Sequence, residues 1–234
     1  MNYWFEIKKT ILEMIRDRGY DITQENDILN MDDDSFNIYY NSLLEIYKNE
    51  NPYTQKLYNL ESFILFSSNT YYSVNKTDLK ILKIGFLELK INKSKISTEQ
   101  ISELISKFKI EPKNHNKEYC DELILIITDE IFPAAKKQLD DLTSVNTSIF
   151  FDKELFYNPT NHIDCPQFYL LTNTEKNDLI RNLKCKLSDF LIIKHSDPII
   201  KYYGWKRGQI VKIIRDEEFY NVISPLSINY KVII

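Results

Sequence analysis

The chain has 234 residues, of which 43% are hydrophobic and 27% charged, with a formal net charge of −4. That length sets one or two domains, and that balance is the ordinary one of a soluble protein with a buried core. A net acidic chain is no general magnet for nucleic acid, so any such contact must be local, and no apolar run nears the ~20 residues of a membrane-spanning helix.

The periodicity predicts a first helix over Asn2–Arg18 with Trp4, Ile7, Ile11 and Met14 on one face, closed by Gly19. A charged amphipathic start of this kind is not a signal peptide. Asp21 to Gln24 forms a short turn, with Thr23 as a candidate N-cap. The acidic run Met31–Asp34 suits the positive end of a second helix carrying Phe36, Tyr40, Leu43 and Tyr47, which must stop before Pro52. From Leu57 to Leu89 the chain has strand character, in Phe63–Phe66, Tyr71–Val74 and Leu79–Leu89. Ser97 or Thr98 caps a helix through about Phe108, and 111–118 is a loop.

The run Leu123–Thr128 is apolar throughout, as in a strand covered on both faces. Pro133 starts a helix through about Leu142, and Ser148–Phe151 returns as a strand. Strand, helix and strand in this order give an α/β layer with a right-handed crossover. The turn-rich segment Asp152–Asp164 marks a domain boundary, so the domains are taken as 1–158 and 159–234. Thr172 or Thr174 then caps a helix with Leu179, Ile180 and Leu183 facing inward.

The stretch Ser196–Arg215, SDPIIKYYGWKRGQIVKIIR, carries the most local grammar. Asp197 is an N-cap, Pro198 a first helical residue, and Gly204 a left-handed terminator. Lys206-Arg207-Gly208 forms a tight turn, and Gln209–Ile214 a buried β-branched strand. Only four glycines occur in the chain, and two of them lie here.

Three scattered cysteines (Cys120, Cys165, Cys185) and three histidines (His115, His162, His195) show no metal-ligand spacing. No metal or cofactor is expected, and an odd cysteine count suits a reducing compartment. One catalytic constellation competes. Asp78, followed by Glu88-Leu89-Lys90, has the outline of a nuclease site, in which two carboxylates hold magnesium and the lysine positions the attacking water.

The string from Asp197 to Arg215 closely resembles the small assembly and jaw subunit common to the eukaryotic nuclear RNA polymerases. That family extends to the archaeal RNA polymerase and to some large DNA viruses. Lys8-Lys9-Thr10-Ile11, Asp17-Arg18-Gly19-Tyr20 and Thr23-Gln24 resemble the opening helix of the same family. Cys165–Thr172 resembles a third segment, with Phe168 in place of the family's histidine, and Leu191 stands where many members have proline. A family T-P-S-A-K motif at a helix start matches Phe132-Pro133-Ala134-Ala135-Lys136, with Phe132 replacing the threonine. After Arg215 the family's P-S-x-T-A-G segment is replaced by the longer DEEFYNVISPLS.

The resemblance implies a non-catalytic polymerase component with no membrane association and no enzymatic activity of its own. It implies an α/β N-terminal jaw domain, a restriction-endonuclease-like three-layer fold, and a small α+β C-terminal assembly domain. The jaw would approach downstream double-stranded DNA through Pro133, Ala134, Ala135, Lys136 and Lys137. The assembly domain would dock on the largest subunit through Asp197, Pro198, Tyr203, Gly204, Lys206, Arg207, Gly208 and Arg215, with other polymerase subunits as further partners. A viral member would sit in the virion and the cytoplasmic viral factory, a cellular one in the nucleus. The Asp78, Glu88 and Lys90 nuclease stands as the alternative.

Overall fold

The computed structural model describes residues 3–50, 70–74, 80–87, 95–107, 120–142, 145–215 and 227–234. The strand expected at Phe63–Phe66, the loop 111–118 and most of the segment after Arg215 lie outside the described residues. So do Asp78, Glu88 and Lys90. The chain divides into two compact units, Met1–Tyr157 and Asn158–Ile234.

In the first unit, helix α1 (Tyr3–Asp17) buries Trp4, Ile7, Ile11 and Met14 as the spacing requires. Gly19 follows at φ +87, where a side chain is strained. Thr23 is not the cap of a helix. Asp21 Oδ1 accepts the Thr23 N–H at 2.8 Å in an Asx turn, and a 3-10 turn begins later, at Asn26–Asn30. An aspartate with its own backbone in reach outcompetes the threonine here. Helix α2 spans Asp33–Glu50, and Pro52, where the sequence places its stop, lies outside the described residues.

Among the described residues, strands β1 (Thr70–Tyr72), β2 (Ile81–Leu87), β3 (Glu122–Ile127) and β4 (Asn146–Phe151) form a sheet in that order. β1 is antiparallel to β2, while β2, β3 and β4 run parallel. Leu123, Leu125 and Ile127 pack with Ile101 and Leu104 of α3 (Thr98–Lys107) and with Ala135 and Leu139 of α4 (Pro133–Asp140). Side chains alternate along a strand, so Ile124 and Ile126 point to the opposite face. Their register partners there are Ile84 and Phe86, and Phe86 meets Trp4 of α1 edge-on at 5.8 Å. Helices therefore cover both faces of the sheet, and β3 is buried almost end to end, which is why it is uninterruptedly apolar. Helix α4 stops at Asp140 rather than Leu142, because Asp141 caps it by bonding back to Leu139 and Lys137.

In the second unit, β5 (Gln167–Leu170), β7 (Ile210–Arg215), β8 (Ser227–Ile233) and β6 (Leu191–Ile193) form a mixed sheet in that spatial order. Only β6 and β8 are parallel. Val211, Ile213, Ile193, Ile200 and Ile233 form its core, with Phe168, Leu170 and Trp205 packed against them. Phe168 thus packs, as expected of a ring in place of a histidine. Helix α5 (Asn173–Leu183) starts with a capping box, in which Thr172 Oγ1 accepts the Glu175 N–H at 3.3 Å and Glu175 Oε2 accepts the Thr172 N–H at 2.8 Å. Its inward face is weaker than the periodicity predicts. No residue of α5 is buried, and Leu183 is 57% exposed. The helix ends there, with Lys184 left-handed, so Leu183 has no next turn to cover it. The described residues thus form a mixed α/β structure with two sheets.

Candidate functional site

The corner between Asp197 and Gly208 begins with a helix capped at both ends by local bonds. Helix α6 (Pro198–Tyr203) has six residues, too few to persist without fixed ends. At its start Asp197 Oδ1 accepts the Ile199 N–H at 3.0 Å, and Pro198 has no N–H to satisfy. At its end Gly204 adopts φ +66, and the Trp205 N–H donates back to the Ile200 carbonyl at 3.2 Å. Ile199, Ile200 and Tyr202 anchor the buried side, and the Asn158 amide donates to the Tyr202 hydroxyl at 3.2 Å.

The turn that follows is fixed from three directions. The Lys206 N–H donates to Gln209 Oε1 at 2.5 Å, the Gly208 N–H (φ +81) donates to the Ile233 carbonyl at 2.9 Å, and Lys176 Nζ donates to the Gly208 carbonyl at 2.7 Å. Tyr203 stacks on Trp205 with ring centroids 4.5 Å apart. Lys206 and Arg207 are left exposed at the tip. The structure therefore brings Asp197, Pro198, Tyr203, Gly204, Lys206, Arg207 and Gly208 into one consecutive corner. Arg215 is not part of it, since it ends β7, roughly 17 Å along the strand from Ile210.

His195 lies just before the corner. Burial holds its imidazole below the ordinary range, Arg207 adds to the effect, and a backbone bond with Trp205 opposes it. The sign follows from proton linkage. The unfolded chain takes up a proton near pH 6.5 that the folded imidazole resists. Its stabilising share is therefore present above about pH 6.5 and lost as the pH falls below that value. Thermal melts of the wild type should show a midpoint falling from about pH 7 to pH 5, and His195→Gln should show less of that fall. An equal fall in both would remove His195 as the cause.

The start of α4 is the other candidate. Pro133, Ala134, Lys136 and Lys137 are exposed, whereas Ala135 is fully buried against the α3 and sheet core. Ala135 is thus a packing residue. Phe132 precedes the helix in extended conformation, its N–H donating to the Ile96 carbonyl at 3.0 Å, and no side chain caps the helix start. The acids just upstream are partly neutralised, with Lys95 on Glu130 at 2.5 Å.

Two buried ion pairs are not legible in the sequence. Arg18, with its side chain 1% exposed, donates to Glu122 Oε2 at 3.1 Å and to Ser148 Oγ at 3.4 Å. It joins the end of α1 to the start of β3, and Gly19 and Tyr20 complete the turn around it. Lys8, equally buried, meets Glu25 Oε1 at 2.6 Å, and the Tyr71 hydroxyl donates to the other Glu25 oxygen. Burial pushes the Lys8 ammonium below its usual range, against the opposing pull of Glu25. The only signal for either pair is that Lys8 and Arg18 sit in the two opening-helix motifs.

Comparison with known proteins gives the same answer at two scales. Residues 157–224 match the family model "RNA polymerase Rpb5, C-terminal domain". Over the longer span, the chain is 28% identical to the DNA-directed RNA polymerases I, II, and III subunit rpabc1 of Dictyostelium discoideum, covering 93% of this chain and 92% of that one. It is 27% identical to the RPABC1 subunit of the same name from Caenorhabditis elegans, over 92% and 89% of the two chains. It is 24% identical to the DNA-directed RNA polymerases IV and V subunit 5B of Arabidopsis thaliana, over 92% and 84%. The capped corner lies inside the segment that matches the Rpb5 C-terminal domain, and over 92–93% of its length the chain is similar to RNA polymerase subunits.

Proposed function

We infer that this chain is a non-catalytic subunit of a multisubunit DNA-directed RNA polymerase. The observation that carries this is similarity along nine-tenths of the chain to proteins named as such subunits. None of those relatives is named as a nuclease, and the nuclease reading of Asp78, Glu88 and Lys90 gains no support. A tagged copy expressed in its native host should co-purify with the large catalytic subunits in one-to-one ratio and cleave no DNA by itself. Recovery alone, or magnesium-dependent cleavage lost in Asp78→Ala and Glu88→Ala, would contradict this.

On this reading the second unit is the assembly domain, docked on the largest subunit through the Asp197–Gly208 corner. What supports it is a corner capped at both ends of its helix that leaves Lys206 and Arg207 exposed in a chain of net charge −4. Such charges set orientation and association rate against an acidic partner surface more than affinity. The first unit is the jaw, and its helix-covered sheet, parallel but for β1, is compatible with a restriction-endonuclease-like fold. The start of α4 faces downstream duplex DNA, with its exposed lysines and uncapped amides offered to a phosphate. In a cell the protein works in the nucleus; in a virus it works in the virion and viral factory.

The DNA contact has its own test. Lys136→Ala with Lys137→Ala should leave assembly intact and weaken retention of downstream DNA. Two lost phosphate contacts should lower the slope of log affinity against log salt by about 2. An unchanged slope would remove the helix from the interface.

A further inference from the structure

We propose that the outer edge of β6 is a second docking surface, and that it accepts an extended, acidic and apolar strand of a partner protein. Among the described residues, β6 is the last strand of its sheet and pairs on one side only, with β8. Leu191 and Ile192 are each 60% exposed, although only Ile193 of this strand turns into the core. The backbone direction is fixed by the ladder. Ile193 accepts the Ile234 N–H at 3.0 Å, so Ile193 is the residue bonded to β8. In a parallel pair such residues alternate, which turns the N–H and carbonyl of Ile192 to the open side. An apolar edge with outward amide groups is what a strand-adding partner recognises.

Charge selects the occupant. Lys184 and Lys186 precede the strand, Lys194 follows it, and Lys231 stands in register with Leu191 on β8. The one acid in this stretch, Asp189, is committed to its own turn, accepting the Lys186 N–H at 2.8 Å and the Ser188 hydroxyl at 3.2 Å. A lysine rim disfavours a second copy of this chain, because like rims would face each other, and it favours a segment that alternates acidic and apolar residues. This edge is distinct from the Asp197–Gly208 corner.

The test uses the purified full chain and a short acetylated peptide alternating valine and glutamate, with a lysine-for-glutamate counterpart as control, read by fluorescence anisotropy. The glutamate peptide should bind in a salt-dependent way and the lysine peptide should not. Ile192→Pro removes the outward N–H while leaving the β8 ladder bonded, and should weaken binding by about tenfold. Ile192→Asp keeps that N–H, adds a like charge to an already exposed position, and should weaken it at least as much; its melting profile guards against simple misfolding. Equal binding of the two peptides, or full binding by a folded Ile192→Asp, would overturn the proposal. So would a chain dimer in sedimentation that Ile192→Asp dissociates, which would make a second copy the occupant. None of these readouts needs the polymerase, so failure here leaves the polymerase reading standing.

Discussion

Arg18→Met is expected to destabilise the first unit by roughly 3–5 kcal/mol, the cost of stranding one partner of a buried ion pair. Its side chain is 1% exposed, and its guanidinium ties the end of α1 to Glu122 at the head of β3, with Ser148 of β4 as a further acceptor. Removing the charge leaves the carboxylate of Glu122, whose side chain is 20% exposed, facing a hydrophobic stem. The midpoint of the first unit's melt should fall by on the order of 10 °C. Replacing both partners, Arg18→Met with Glu122→Gln, should recover much of the loss, because no uncompensated charge remains. A single variant that melts with the wild type would show that the pair is not the joint described. So would a double variant no better than the single.

Gly204→Val is expected to cost the second unit about 1–3 kcal/mol and to abolish incorporation into the polymerase. At φ +66 a β-branched residue is strained, and the bond that closes α6, from Trp205 to the Ile200 carbonyl, depends on that left-handed step. Gly208→Val should act in the same direction through backbone strain alone, at φ +81, because a Cβ there meets nothing within 4 Å. Gly204→Asn tolerates the left-handed region and should restore much of the assembly. Normal co-purification of Gly204→Val with the large subunits would separate the corner from docking.

The parts of this fold visible in the sequence are those whose causes are local. Asp197, Pro198 and Gly204 cap six residues by bonds that span no more than a turn, so the local order of residues places them. The run at Leu123 is legible because a strand covered on both faces has no polar side to show. Leu183 is exposed despite its inward spacing, because periodicity records where a face points but not whether anything reaches it. The Arg18–Glu122 pair spans 104 positions and is beyond the reach of spacing, although its arginine lies in a recognisable motif. Arg215 belongs to the same string as the corner, yet the strand carries it to the other end of the sheet. Contiguity in sequence is not contiguity in space there.

The most direct test of the account is amine labelling of Lys206, with the exposed Lys153 as internal reference, on the free chain and on intact purified polymerase. If the capped corner is seated in a partner, Lys206 should label freely in the isolated chain and be strongly protected in the complex, while Lys153 serves as the normalising signal. Equal labelling of Lys206 in both states would leave the corner in open solvent and contradict its role in docking.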